Sequence, residues 1–549
     1  MLGKLINLYG EEKGKQAKEK LEKIIREAKS KIVCKDRLFW NENDVFLITY
    51  ADSFQEESIP TLTTLKKFLD VHLRGVIEGV HILPFNPYSS DRGFSVVDYY
   101  KVKKEFGDWN DIEEIGKNYR LMADLVLNHV SVQNEWFQKF LAGDPKYGDY
   151  FIWFEKEEIP GEALKKVFRP RSTPLLTPFK TKKGERWVWT TFSVENSTDQ
   201  VDLNYKNPEV LLEIVKIILF FLQKGVRIFR LDSAPYIWKE LGTECKNLSQ
   251  AHAIISLFRD ILDEACPTAL ILTQSSVSFE ENTSYFGLKN KESNLIYNFA
   301  LPPLVLNAFY SQSNQYLNDL ALKMKSPRDD TTFFNVLAVH DGIGVNGAKG
   351  FLSDTELNNL CRKIEEQGGK LSYRNLPNGS KEVIELNTSL WSAINKKDSE
   401  SFDLQLRKFL TTHAVLFSLV GIPAVYYLSL FGQQNDLDLF SQTGIRRDIN
   451  RTNLDLSLVD RRLKTKNTKE AKVFRALLNL IKKRKSFKAF HPNARQEVLS
   501  LDKRVFAVLR GENKEQVLAL HNLSKDQVEV NYKGRYFTLK SYDFIWEEI

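Results

Sequence analysis

Several polar side chains stand at the ends of strongly apolar runs. Asp124, Asn128 and His129 close R-L-M-A-D-L-V-L-N-H, and Arg230 and Asp232 close G-V-R-I-F-R-L-D. Gln274 closes A-L-I-L-T-Q, and His340 and Asp341 close F-F-N-V-L-A-V-H-D. An arginine two residues before an aspartate lowers the carboxylate pKa and offers it charge-assisted hydrogen bonds. Carboxylates and imidazoles together with an aromatic face suit the hydroxyls and flat side of a sugar. Retaining glycosyl transfer asks for a nucleophilic carboxylate beside an oxocarbenium-like carbon, and for a proton donor across the scissile bond. Taken singly, each group has an ordinary reading: H-D as a turn, R-L-D as a buried ion pair. Joint placement on four run ends favours one shared site.

Those runs belong to a longer rhythm. From residue 45, apolar stretches at 45–50, 79–85, 120–129, 225–232, 269–274, 294–299, 333–341 and 423–429 alternate with helix-like segments. Continuous apolarity marks strands buried on both faces, and strand–helix alternation implies parallel pairing. Eight such runs predict an α/β fold, a (β/α)8 TIM barrel, with reactive groups at the C-terminal ends of its strands. The barrel is expected over 45–487, with inserted subdomains at about 131–205 and 343–404, the second polar and turn-rich (P-N-G-S, 377–380). Residues 1–44 form an N-terminal extension whose stretch 10–31 has helix formers at amphipathic spacing. From 488 to 549 the pattern becomes alternating, as in R-V-F-A-V-L-R-G and Q-V-L-A-L-H-N-L-S, which predicts a small antiparallel β domain.

Bulk properties narrow the function. Across 549 residues, 78 Lys+Arg and 71 Asp+Glu leave a net charge of only +7. No basic block is interleaved with stacking aromatics, which argues against a nucleic-acid partner. No apolar run reaches the roughly 20 residues that span a bilayer; I-I-L-F-F-L at 217–222 is far too short. The polar, acidic start does not read as a signal peptide, so a cytoplasmic protein is expected. Cys34, Cys245, Cys266 and Cys361 show neither C-x-x-C nor zinc spacing and read as reduced buried thiols. The carboxylates lack calcium-loop spacing, so neither a metal nor a cofactor is expected. Nothing in the sequence encodes an oligomeric state.

With these residues in view, a resemblance follows. D-L-V-L-N-H-V-S, G-V-R-I-F-R-L-D, the run holding Gln274 and F-F-N-V-L-A-V-H-D-G-I-G resemble, in order, the four sequence regions of the α-amylase superfamily (glycoside hydrolase family 13). L-P-F-N-P-Y-S-S-D-R-G-F-S-V-V-D-Y (83–99), R-P-R-S-T-P-L-L-T-P-F (169–179), W-K-E-L-G-T (238–243), E-E-N-T-S-Y-F-G (280–287) and R-R-D-I-N-R (446–451) are similar to the sucrose phosphorylase group, nearest its glucosylglycerate phosphorylase branch. The resemblance implies Asp232 as the nucleophile of a covalent glucosyl-enzyme, with Arg230 holding it ionised. It implies His129 and His340 on sugar hydroxyls, Asp341 on the 2- and 3-hydroxyls, Asp91 and Arg447 clamping the far end of the glucosyl unit, and Phe94 stacked beneath it. Gln200, Arg169 and Arg171 are candidates for the site mouth, the two arginines for an anion such as phosphate or glycerate.

One position departs from that pattern. Where the family carries a glutamate after the threonine of the fifth strand, this chain has T-Q-S-S-V-S-F-E-E-N, with Gln274. An amide can hydrogen-bond a glycosidic oxygen but cannot protonate it, and general acid catalysis is worth about 10²–10⁴-fold. Three readings stand. One is a phosphorylase using a small-molecule sugar and inorganic phosphate, narrowed to chemistry that needs no proton at 274. Another is an inactive sugar-binding or regulatory homologue. A third, an α-glucoside hydrolase, needs both carboxylates most.

Overall fold

A computed structural model describes residues 1–549 apart from 35–38, 172, 194–197, 288, 377–379 and 397–398. Most of the turn expected at 377–380, and Ser172 of the R-P-R-S-T-P run, lie outside the described residues.

Eight strands close into a parallel barrel: β1 (Phe46–Thr49), β2 (Gly79–Ile82), β3 (Arg120–Val126), β4 (Val226–Asp232), β5 (Leu270–Thr273), β6 (Leu295–Asn298), β7 (Thr332–Asn335) and β8 (Ile422–Tyr426). Each pairs with its sequence neighbours, and β8 returns to β1. All eight are buried along nearly their whole length, as strands wrapped by helices must be. They coincide with the eight apolar runs. The seventh run is the exception in extent: pairing stops at Asn335, and 336–341 leave the sheet to carry His340 and Asp341 over the mouth.

The crossover helix Pro208–Gln223 starts with Asn207 accepting from the Glu209 amide and with proline at its first position, a standard helix start signal. Ahead of it, the segment after β3 builds the helix Glu135–Leu141 and an antiparallel sheet of Trp153–Phe154, Gly184–Trp189 and Leu176–Thr181. After β7 a second excursion forms the helix Asp354–Glu366 and an antiparallel sheet of Ile343–Gly344, Lys381–Asn387 and Lys370–Asn375. Four C-terminal strands (Gln496–Asp502, Val505–Glu512, Glu515–Asn522, Phe544–Glu548) and the hairpin Val528–Leu539 share a separate core around Leu518, Leu520 and Val530.

The N-terminal extension bears the amphipathic helix expected within 10–31 and adds another ahead of it. It is two helices, Leu2–Tyr9 and Glu11–Lys29, broken at Gly10 with φ 81°. They fold against each other where Gly14 meets Ile6: a Cβ at 14 would lie 2.8 Å from the Ile6 backbone. Leu5, Leu21 and Ile25 are buried against the helices Pro208–Gln223 and Ser249–Ala265. This docking also corrects the expectation of four reduced thiols. Cys34 and Cys266 are joined as a disulfide with Cα atoms 5.5 Å apart, while Cys245 and Cys361 are free and buried. Two cysteines separated by 232 residues carry no spacing signal; the packing of the extension brings them together. Among the described residues, no helix is long and apolar enough to cross a membrane.

Candidate active site

A cavity of about 1070 Å³, counting its open mouth, lies at the C-terminal end of the barrel. Asp232 and Gln274 both line it, as do Asp91, Phe94, His129, Arg171, Gln200, Asp341 and Arg447. Arg230 and His340 stand just behind this lining, and Arg169 is half-buried on the same loop as Arg171 but outside it.

Asp232 ends β4. Its Oδ1 accepts from Arg230 Nη1 at 3.0 Å and its Oδ2 from Ser233 Oγ at 2.9 Å. Arg230 Nη1 also pairs closely with Asp124 of β3, whose Oδ2 lies 2.7 Å from His81 Nε2. One guanidinium therefore serves two buried carboxylates. Burial, the largest effect, pushes the Asp232 carboxyl up; Arg230 lowers it as expected but offsets this only in part, and Asp124 adds to the rise, so the net shift is upward. Burial works against the Arg230 charge, but Asp124 and Asp232 together drive its pKa further up.

Gln274 follows β5. Its Oε1 accepts the Ser233 backbone N–H at 2.9 Å, and its Nε2 donates to Ser276 Oγ at 3.4 Å. Ser233 has φ 52°, a left-handed turn that aims its amide at residue 274. Glu280 and Glu281, the carboxylates nearest in sequence, point elsewhere. Glu280 pairs with Lys323 at 2.7 Å, and Glu281 caps its own helix through Ser278 and pairs with Lys246 at 3.1 Å.

The opposite wall is charged. Asp341 Oδ1 lies 2.8 Å from Arg447 Nη1. Burial alone would raise the Asp341 carboxyl, but the guanidiniums of Arg447, Arg230 and Arg451 hold it well below the usual carboxylate range. Asp91 lies 3.8 Å from Arg171 and 3.9 Å from Arg451, and Gln200 Nε2 donates to it at 3.4 Å. Burial is again outweighed, here by Arg447, Arg171 and Arg451, so Asp91 stays low. Arg92 turns away and donates to Asn453 Oδ1 at 2.8 Å.

His340 stacks on Phe94 at 4.9 Å and 9°. Burial pushes its pKa down to about 3, so it is neutral, and neither ring nitrogen has a hydrogen-bond partner among the described residues. His129 Nε2 sits 2.9 Å from the Phe94 carbonyl. The R-R-D-I-N-R run laces this wall together: Arg451 Nε donates to the His340 carbonyl at 2.8 Å and Asn450 Nδ2 to that of Val339 at 3.2 Å.

Sequence reasoning missed several lining groups. Glu385, on the strand Lys381–Asn387, receives two hydrogen bonds from Arg447, Nε at 3.1 Å and Nη2 at 2.5 Å. Arg374, across the same hairpin, pairs with Glu382 and covers the Phe168 ring at 4.4 Å. Phe192 and Tyr236 add aromatic wall. All lie on segments whose residue pattern carries no motif. Among the described residues, no group of three or more His, Cys, Asp or Glu is placed to hold a metal ion.

A (β/α)8 barrel with carboxylates, imidazoles and aromatics gathered at the C-terminal mouth defines a sugar-active enzyme class. Comparison with known proteins narrows it. Residues 73–341 match the α-amylase catalytic domain family. The chain is 43% identical over 539 residues to a glucosylglycerate phosphorylase of Spirochaeta thermophila, covering 96% of this chain and 90% of that one. It is 38% identical to the glucosylglycerate phosphorylase of Escherichia coli over 515 residues, 93% and 90% of the two chains. The crystal structure of sucrose 6F-phosphate phosphorylase from Thermoanaerobacter thermosaccharolyticum superposes with a TM-score of 0.77 at 27% identity, covering 91% and 98%. The chain belongs to the α-amylase family, in its sucrose and glucosylglycerate phosphorylase group, and is an enzyme of glycosyl-transferring type.

Proposed function

We propose that the protein is a retaining α-glucoside phosphorylase that exchanges a glucosyl unit between phosphate and a small anionic acceptor of glycerate type. Asp232 attacks the anomeric carbon, the leaving group departs with the bonding electrons, and a β-glucosyl ester forms on Oδ1 or Oδ2. A second nucleophile then displaces Asp232 from the opposite side, restoring the α configuration. The observation that carries this reading is that Asp232, backed by Arg230, and Gln274, held by the adjoining amide, open on one cavity.

The remaining groups take roles that follow from their chemistry. His340, whose Nε2 lies 3.3 Å from Asp341 Oδ1, receives glucosyl hydroxyls together with His129 and Asp341. Asp91, Gln200 and Arg447 hold the far end of the ring, and Phe94 supplies a flat apolar face. Arg171 has a buried Nε without a hydrogen-bond partner among the described residues and fits an incoming anion, with Arg169 farther out. The names of the similar proteins support glycerate as the acceptor class. A cytoplasmic setting suits the reading, because charged glucose 1-phosphate is retained behind a bilayer. The Cys34–Cys266 bridge argues against that setting, since cytosolic thiols are kept reduced.

Gln274 shapes the activity. Phosphate leaves glucose 1-phosphate as a weak base and attacks in return as an anion, so neither half of that exchange needs a proton from residue 274. The same glutamine favours a second reading, a sugar-binding homologue without turnover. A hydrolase is disfavoured because water must lose a proton to attack.

Incubation with glucose 1-phosphate or α-glucosyl fluoride, followed by intact and peptide mass analysis, separates these readings. A hexosyl adduct on Asp232 and exchange of labelled phosphate into glucose 1-phosphate are expected. Tight sugar binding with neither adduct nor exchange would establish the second reading instead.

A further inference from the structure

The turn that presents Asp91 to the cavity has positive φ at three consecutive residues: Asp91 at 50°, Arg92 at 47° and Gly93 at 113°. At 93 glycine is also required by space, because a Cβ there would lie 2.6 Å from the Pro84 carbonyl oxygen. Aspartate tolerates left-handed backbone through its short polar side chain, but a long side chain at 92 has no such local compensation. Strain of this kind persists only where surrounding contacts over-determine it.

Arg92 makes those contacts across the pocket floor. Its Nη1 donates to the Arg451 carbonyl at 2.6 Å and its Nη2 to Asn453 Oδ1 at 2.8 Å, while the guanidinium covers the Tyr50 ring at 5.1 Å. Asp52 at 3.8 Å and Asp448 at 4.0 Å supply counter-charge. The receiving segment belongs to the clamp itself. Arg451 is buried, and its guanidinium reaches both Asp91 and Asp341, 3.9 Å from each. On the other flank, Ser90 Oγ donates to Asp199 Oδ2 at 2.6 Å, and the residue after Asp199, Gln200, donates to Asp91. Asp91 is therefore pinned from before by Asp199 and from after by Arg92.

We propose that Arg92 is a positioning residue for the sugar clamp. Without touching substrate, it fastens the 91–93 turn to the 451–453 segment and so fixes the Asp91 carboxylate, alongside Arg451, at the far end of the glucosyl unit. The role given to Asp91 rests on the phosphorylase reading; the cross-link itself does not.

The test compares α-glucosyl fluoride with α-xylosyl fluoride, which lacks the C6 hydroxymethyl arm at that end of the ring, and follows fluoride release by the full chain with phosphate as acceptor. Arg92→Gly suits the left-handed backbone, so it keeps the turn while removing the cross-link. It should raise KM for glucosyl fluoride about tenfold with kcat within about threefold, leave xylosyl fluoride little changed, and so cut the preference for glucosyl about tenfold. Arg92→Lys, which keeps a cation able to reach the Arg451 carbonyl, should hold that preference within about threefold of the parent. In an Asp91→Asn background, Arg92→Gly should cost less than about twofold more, because the two residues act through one contact. An unchanged preference in Arg92→Gly overturns the proposal. So does a lowered melting temperature with both fluorides slowed alike, which leaves Arg92 as a fastening of the fold alone, and so does full additivity with Asp91→Asn. Failure of the parent reading looks different: the unaltered chain then releases fluoride from neither donor. In that event the preference for glucose over xylose, read as binding by calorimetry, decides the role of Arg92 by the same tenfold criterion.

Discussion

Two regions of the molecule bury arginines in opposite ways. At the barrel mouth, Arg230 lies between the carboxylates of Asp124 and Asp232, and its charge is reinforced. At the seam between barrel and C-terminal sheet, Arg510 donates to the carbonyls of Ser418 at 2.6 Å and His491 at 2.8 Å. Arg484 there donates to Phe490 O at 3.0 Å and Phe417 O at 3.3 Å. Burial pushes Arg510 down to about 9 and Arg484 down to about 10. Carbonyl caps suffice where an arginine only has to fasten chain segments. Where the charge itself must act on a neighbouring carboxylate, the fold supplies counter-ions, and tolerates a costly buried trio to do so.

Breaking the mouth should give the largest effect. Asp232→Asn is expected to cut glucosyl-adduct formation by about 10⁴-fold or more, the scale seen when a nucleophile is removed. Because burial raises the Asp232 carboxyl, the neutral amide should leave the melting temperature equal or higher, which a thermal melt would read. Next, Arg230→Gln removes the guanidinium that Asp124 and Asp232 share. Urea unfolding should register a loss of about 3–5 kcal/mol, the usual cost of breaking a buried ion pair, together with slower adduct formation. Arg510→Met sharpens the contrast from the other side. It strands several carbonyls and should cost about 2–4 kcal/mol of stability, with adduct rates within about twofold of the parent.

The smallest effect is one of pH. Burial pushes His413 and His521 down to about 4, so between about 6.5 and 4 the unfolded chain binds protons that the folded chain refuses. Stability therefore falls as pH drops through that window, by about 1 kcal/mol per pH unit for each histidine. His521 accepts from Trp546 Nε1 at 3.2 Å, and its Nδ1 lies 3.0 Å from the Phe506 carbonyl. Replacing it by glutamine should flatten the slope by one such increment, measurable in melts at stepped pH.

Much of this was legible in residue order. The eight barrel strands announce themselves because burial on both faces forces continuous apolarity, and polar groups at their ends stand out against it. Asp232 and Gln274 were both readable for that reason. Glu385 and Arg374 were not: they sit on a hairpin whose half-exposed strands mix charged and apolar residues, and only the closure of that hairpin over the mouth gives them a role. The raised Asp232 carboxyl was also out of reach, because sequence shows the arginine beside it but not the desolvation or Asp124. The Cys34–Cys266 pairing depends on where the N-terminal helices dock, which spacing cannot encode.

The amide of Ser233 grips the Gln274 oxygen, and a carboxylate of the same shape would accept that bond equally well. Glutamine and glutamate codons differ by one base. The same backbone would therefore hold a carboxylate at 274, which a single base change could introduce without rebuilding the loop.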